Sequence, residues 1–359
     1  MSTVRLAVPP PSFFNFQNAS QPIPPSIPHA IPGDIYTQLL DVRVPITIAT
    51  IYAITVHYLN SIASKTTPPT PYSFAKTAAF KWFVILHNAL LAVYSGWTFV
   101  GITSTLQRTI SWENGFGGFV HGLCKIHDDS VAVGINDVSG LSPRIASGSG
   151  LWEEGLAFYG WLFYLSKFYE VIDTAIILAK GRKSSTLQTY HHAGAMMCMW
   201  AGIRFMSPPI FIFVLFNSAI HTLMYTYYTL SALKIRVPTP IKRLLTTMQI
   251  TQFLVGGSGA AVQIFISYIP PRVLTDISDT IKENSGIDMH IGDLNKEFVS
   301  CLSGGAEVWA VVTNVVYLTP LTYLFVMFFI KSYLGPKKGG KAVKSAAVNG
   351  GEKREVKAQ

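Results

Sequence analysis

The sequence predicts an all-α membrane protein built on seven transmembrane helices. Three observations carry that prediction. Only 13% of the 359 residues are charged, where a soluble domain carries about a quarter. The mean hydropathy is +0.34. Apolar runs of about 20 residues, the length that crosses a bilayer, recur almost end to end. One bundle with loose ends fits that spread better than two soluble domains. The expected organisation is a tail over 1–43, a membrane domain over 44–334 and a basic tail over 335–359.

The first 43 residues are rich in proline (Pro9, Pro10, Pro11, Pro22, Pro24, Pro25, Pro28 and Pro32). They lack an apolar stretch beside a basic start, so no cleavable signal peptide is evident and they read as a largely disordered tail. Expected spans follow at 44–64, 82–106, 154–180, 187–206, 209–233, 244–268 and 307–331. Each can cross about 30 Å of hydrocarbon at about 1.5 Å per residue. Gly, Pro or charge marks most boundaries, as in Lys180-Gly181-Arg182-Lys183 and Ser207-Pro208-Pro209. The fourth span is the shortest and most polar.

Charge sets the orientation. With the C-terminus cytosolic, the cytosolic segments hold eighteen of the 28 Lys and Arg residues. Nine fall on the other side, diluted among acids such as Asp128, Asp129 and Glu283. That alternation is what the positive-inside rule requires. An odd number of spans then puts the N-terminus in the lumen, with the glycosylation sequon at Asn18. The +9 net charge is thereby a topology and membrane-surface signal rather than a nucleic-acid arm. Three cysteines support neither a disulfide framework nor a cysteine metal site.

Polar groups inside spans are costly and point to function. The third span carries Lys167, Glu170, Asp173 and Thr174 on one stripe; Lys167 and Glu170 read either as a structural ion pair or as part of a site. Gln188, His191 and His192 share a face at the start of the fourth span. The fifth holds Asn217, His221, Met224, Tyr225 and Tyr228 on one face, although its tyrosines also suit an interfacial belt. Thr246, Gln249 and Gln252 stripe the sixth, where interhelical hydrogen bonding is an equal reading. Together these suggest one polar chamber at mid-membrane.

Of nine histidines, His29, His57, His87, His121, His127 and His290 lie outside that set, which leaves too few for a membrane diiron centre. His191, His192 and His221 could hold one zinc, but nothing else in the sequence asks for a metal. Neutral imidazole attacking a thioester, with a second substrate consuming the acyl-imidazole, fits better. Cys198 is a weak nucleophile candidate, lying about 9 Å beyond His192 along the helix with no charged activator beside it. A retinal protein needs a lysine within the last helix, and 307–330 has none. A proton-coupled transporter would use Lys167, Glu170 and Asp173 as a relay, but inverted repeats are not visible.

KFYEVIDT, YHH, NSAIHTLMYTYY and TTMQITQF resemble, in order and spacing from Lys167 to Phe253, the four signature segments of the ELO family of fatty acid elongases. The family box is usually HxxHH; here Gln188 takes the first place, a QxxHH variant that resembles elongases of polyunsaturated C18 chains in algae, protists and fungi. The resemblance implies seven helices enclosing an acyl tunnel, and condensation of acyl-CoA with malonyl-CoA to 3-oxoacyl-CoA, carbon dioxide and CoA. It implies His191 as the acyl carrier, with Asp173 or Gln188 fixing its tautomer and His221 the second choice. His192, His221, Asn217 and Tyr225 would then be donors or general acids. Lys180, Arg182, Lys183, Lys234, Arg236, Lys242 and Arg243 are the available phosphate partners for CoA at the cytosolic mouth, although topology alone also puts cations there. A Cys124–Cys301 bridge is implied by family members with a luminal disulfide. No cofactor is expected. The later steps would fall to a 3-oxoacyl-CoA reductase, a dehydratase and an enoyl reductase in the same membrane, taken as endoplasmic reticulum. A homo-oligomer is left open.

Overall fold

The computed structural model describes residues 3–14, 27–28, 30–63, 70–112, 115–127, 150–271 and 298–334. The sequon at Asn18, His29, His290 and the basic tail over 335–359 lie outside these residues. The chain is mostly helical. In order come β1 (Val4–Leu6), α1 (Gly33–Leu39), α2 (Arg43–Ala63), α3 (Ala78–Thr109), α4 (Gly115–Cys124), α5 (Ala157–Tyr169), α6 (Val171–Ala179) and α7 (Thr186–Arg204). Then follow α8 (Ile210–Ala232), α9 (Thr239–Gln263), β2 (Ile266–Tyr268), β3 (Val299–Ser300) and α10 (Gly305–Phe329).

Among the described residues, four helical segments are long and apolar enough to cross a membrane: Arg43–Ala63, Ala78–Thr109, Ile210–Ala232 and Gly305–Leu334. The other three expected spans fall on α5–α6, α7 and α9, which are helical but broken or rich in polar residues. The expected third span is two helices. Glu170 separates α5 from α6, and the Asp173 N–H bonds the Glu170 carbonyl at 3.1 Å, a tightened turn of three residues. The expected sixth span is displaced. Pro240 lies in the first turn of α9, where its missing N–H costs nothing, and α9 stops at Gln263, leaving 266–268 as strand β2.

The N-terminal segment also departs from the expectation of a largely disordered tail. β1 pairs antiparallel with β2, Val4 opposite Tyr268, and β2 pairs with β3. On α1, Tyr36 is fully buried, stacks on Trp161 at 5.0 Å between ring centres and donates its hydroxyl to the Ala157 carbonyl. Cys124, at the end of α4, is disulfide-bonded to Cys301 beside β3, with 4.8 Å between Cα atoms. The bridge joins α4 to the sheet.

Successive packing of α3 on α8, α8 on α9, α9 on α10, α10 on α7, α7 on α5 and α5 on α3 closes a ring. α2 stands outside it against α7 and α6. Where lipid surrounds helices, close packing rather than water exclusion holds them together, and small residues allow the approach. Gly202 illustrates this: a Cβ there would fall 2.3 Å from Ile210. The apolar core (among others Trp152, Leu156, Tyr164, Ile203 and Val308) fills one end of the ring. The polar residues gather toward the other.

Candidate functional site: a histidine chamber inside the helix ring

α7 begins where Ser185 accepts a hydrogen bond from the Gln188 N–H, an N-cap that starts the helix one turn before the two histidines. The i, i+4 spacing then lets the Gln188 amide nitrogen reach His192 Nε2 at 2.8 Å. His191 points along the neighbouring face, 5.3 Å from His192 and 6.4 Å from His221 between ring centres. Its Nδ1 lies 3.0 Å from the hydroxyl of Tyr317 on α10.

Across the chamber, α5 and α8 supply a charged cradle. Lys167 donates to Glu170 at 2.6 Å and to Asn217 Oδ1 at 3.1 Å. The Asn217 amide nitrogen donates to His221 Nε2 at 3.1 Å. Lysine can only donate, so the atom facing it is the amide oxygen. That fixes the amide and leaves His221 Nε2 as an acceptor. His221 Nδ1 and His192 Nδ1 face the two Glu170 oxygens at 3.7 and 3.9 Å. Lys167 and Glu170, each nearly fully buried, thus form an ion pair that is also a wall of the chamber.

Asp173 does not orient His191. It accepts from His87 Nε2 at 2.8 Å and from the Tyr225 hydroxyl at 2.6 Å; Tyr225 in turn presents its ring edge to His221. Gln188 likewise serves His192 rather than His191. His87, set apart by sequence, belongs to the site, and its place inside an expected span was the available signal. Tyr317 carried no such signal: a tyrosine in an apolar helix is ordinary, and α10 holds a second, Tyr323. Thr174 bonds Tyr52 at 2.8 Å. Thr246 bonds the Lys242 carbonyl and faces Tyr333; neither threonine lines the chamber.

Two cavities meet at His191. The wider, about 630 Å³, is bounded by His191, His192, His221, Met224, Tyr225 and Tyr228, with Gln249 and Gln252 opposite. Lys180 and Arg182 stand on its wall. Lys183, Lys234, Arg236 and Arg243 are exposed and do not line it; Arg243 packs over Phe329 and Lys242 over Tyr227. The second cavity is narrow, about 50 Å³, and its walls are chiefly apolar, including Phe163, Met199, Ile212 and Leu321. His191, Asn217, Gln252 and Phe253 border both. Among the described residues no group of three or more His, Cys, Asp or Glu is arranged to hold a metal ion. Cys198 is buried, its sulfur beside the Thr313 carbonyl.

Residues 37–341 match the family model described as GNS1/SUR4 (ELO). The chain is similar to long chain fatty acid elongase 1 of Caenorhabditis elegans, 30% identical over 71% of this chain and 68% of that protein. It is also similar to fatty acid elongase 2 of Trypanosoma brucei brucei, 27% identical over 52% of this chain and 60% of the relative. Human very long chain fatty acid elongase 3 is 36% identical over 31% of this chain and 40% of its own length. The chain thus spans about half the length of several curated relatives. No solved structure matches it. Family match, relatives and helices long enough to cross a bilayer agree: the chain is a multi-pass membrane protein belonging to the GNS1/SUR4 (ELO) family of fatty acid elongases.

Proposed function

We propose that this protein is a very-long-chain 3-oxoacyl-CoA synthase that joins a long-chain acyl-CoA, of the polyunsaturated C18 class, to malonyl-CoA through an acyl group on His191. Fatty acid elongases are condensing enzymes, and the residues here supply the parts. The acyl chain runs along the apolar walls beside His191, widening a cavity whose volume of about 50 Å³ is too small for a C18 chain as it stands, while CoA stays in the wide one with Lys180 and Arg182 on its phosphates. His191 Nε2 attacks the thioester carbonyl; the C–S bond breaks, and CoA leaves as thiolate to be protonated from solvent. Malonyl-CoA then enters and loses carbon dioxide, and its enolate is stabilised by donors in the chamber. The enolate carbon attacks the acyl carbon, the C–N bond breaks, and 3-oxoacyl-CoA leaves with His191 restored.

One observation carries this reading. His191 Nε2 has no hydrogen-bond partner among the described residues, and its ring stands where the two cavities meet. The competing nucleophile, His221, has its Nε2 lone pair occupied by Asn217. On the same reading the seven helical stretches all cross the membrane of the endoplasmic reticulum. The N-terminus is luminal and the C-terminus cytosolic, and reductases and a dehydratase complete the cycle. Purified protein incubated with radiolabelled malonyl-CoA and a panel of acyl-CoAs tests the proposal. Incorporation should vanish in His191→Ala and persist in Cys198→Ala. Incorporation that survives His191→Ala, or transport of acyl-CoA without incorporation, would defeat it.

A further inference from the structure

The hydrogen bonds around Tyr317 fix more than the position of its ring. Its hydroxyl lies 2.9 Å from the backbone carbonyl of His191 and 3.0 Å from the ring nitrogen Nδ1 of the same residue. A hydroxyl has one proton to give and lone pairs to receive. The carbonyl oxygen can only accept, so the hydroxyl proton goes there; otherwise two oxygens would face each other at 2.9 Å with no proton between them. The phenolic oxygen is then free only to accept, and the group facing it, Nδ1, must donate. In the neutral ring the proton therefore sits on Nδ1, and the lone pair on Nε2 is exposed toward the cavities.

We propose that Tyr317 is a positioning residue: it holds His191 in the tautomer with its proton on Nδ1 and so presents Nε2 as the nucleophile. The inference rests on the reading that His191 takes the acyl group. A free histidine side chain favours the other tautomer, so the hydroxyl has work to do. During acylation the ring gains positive charge, and the Tyr317 oxygen, already accepting from Nδ1–H, stabilises it where it forms.

Three further contacts hold the tyrosine in register. Its ring stacks on Tyr190, 5.5 Å between centres and 23° between planes. The Tyr190 hydroxyl donates to the Tyr317 carbonyl at 3.2 Å, so α7 and α10 exchange hydrogen bonds in both directions. Gly194, one turn beyond Tyr190, leaves the space: a Cβ there would fall 2.2 Å from Tyr317 Cε2. The same device repeats on the opposite histidine, where Lys167 fixes Asn217 and Asn217 fixes His221. His191 differs in that its fixing bond falls on Nδ1 and leaves Nε2 bare.

Tyr317→Phe removes the hydroxyl alone; the stack and the Tyr190 bond to the backbone remain. Two measurements test the assignment. Solid-state NMR of ¹⁵N-histidine-labelled protein in liposomes, with the His191 signals identified by their loss in His191→Asn, reads the tautomer. The wild type should show Nδ1 protonated, and Tyr317→Phe should shift the population toward Nε2–H. Release of CoA from acyl-CoA alone, read in a single turnover, should slow by about tenfold or more, with the acyl-CoA concentration for half-maximal rate unchanged. Gly194→Ala, which crowds the ring, should slow the same step. An Nε2–H tautomer in the wild type overturns the proposal without any variant, as does an unshifted tautomer in Tyr317→Phe. A tautomer shift together with undiminished CoA release from His191→Asn would leave the hydrogen-bond assignment standing and refute His191 as acyl carrier.

Discussion

Lys167 is where the energetics of single residues are most exposed. Its ammonium donates to Glu170 Oε1 and to the Asn217 oxygen inside the ring, nearly free of solvent. Losing one partner of such a pair strands a buried charge, at a cost of about 3–5 kcal/mol. Lys167→Met should therefore lower the thermal unfolding midpoint sharply in detergent, and pairing it with Glu170→Gln should recover much of the loss. An unchanged midpoint in the single variant would mean that the pair is solvated. The single variant should also lose activity, because Asn217, and through it His221, takes its orientation from the ammonium. At this scale the residue types of the chamber were legible, since a charged or amide side chain inside an apolar run has to be paid for by a partner. Among the partnerships, the Lys167–Glu170 pair was legible from its spacing of three; those between distant helices were not. Spacing along a helix says which side chains share a face, but Asp173 found His87 across 86 residues of sequence, and Tyr317 reached His191 across 126.

At the scale of elements, short polar contacts decide where the helices start and break. The Ser185 cap sets the phase of α7 and so the direction of Gln188. Ser185→Ala should cost about 1 kcal/mol; hydrogen exchange should quicken in the first turn of α7 and stay unchanged in α8. Uniform exchange across both helices would show that packing, not the cap, holds that turn. Apolar runs located α2, α3, α8 and α10 because those helices are long and apolar enough to cross a membrane. The break at Glu170 escaped, since KFYEVIDT continues a helical period on both sides. So did strand β2: ISY is apolar enough to extend a span, and it becomes a strand because Val4–Leu6 and Val299–Ser300, distant in sequence, pair with it. A proline-rich composition likewise concealed the β1 and α1 segments, whose order comes from tertiary contacts such as Tyr36 on Trp161.

For the whole molecule, the ring of helices matters because it brings a wide cavity, lined by the histidines and two cations, and a narrow apolar one to the same imidazole. On the proposed reading, the wide compartment holds a charged carrier, the narrow one opens to admit a hydrocarbon chain, and the reacting carbon lies at their junction. The most direct measurement is to incubate the protein with acyl-CoA in the absence of malonyl-CoA, quench, and locate the added acyl mass by peptide mass spectrometry. The account predicts one acyl group per chain on His191, discharged when malonyl-CoA is added. Acyl mass on His221 or Cys198, or full turnover of an enzyme that never carries an acyl group, would contradict it.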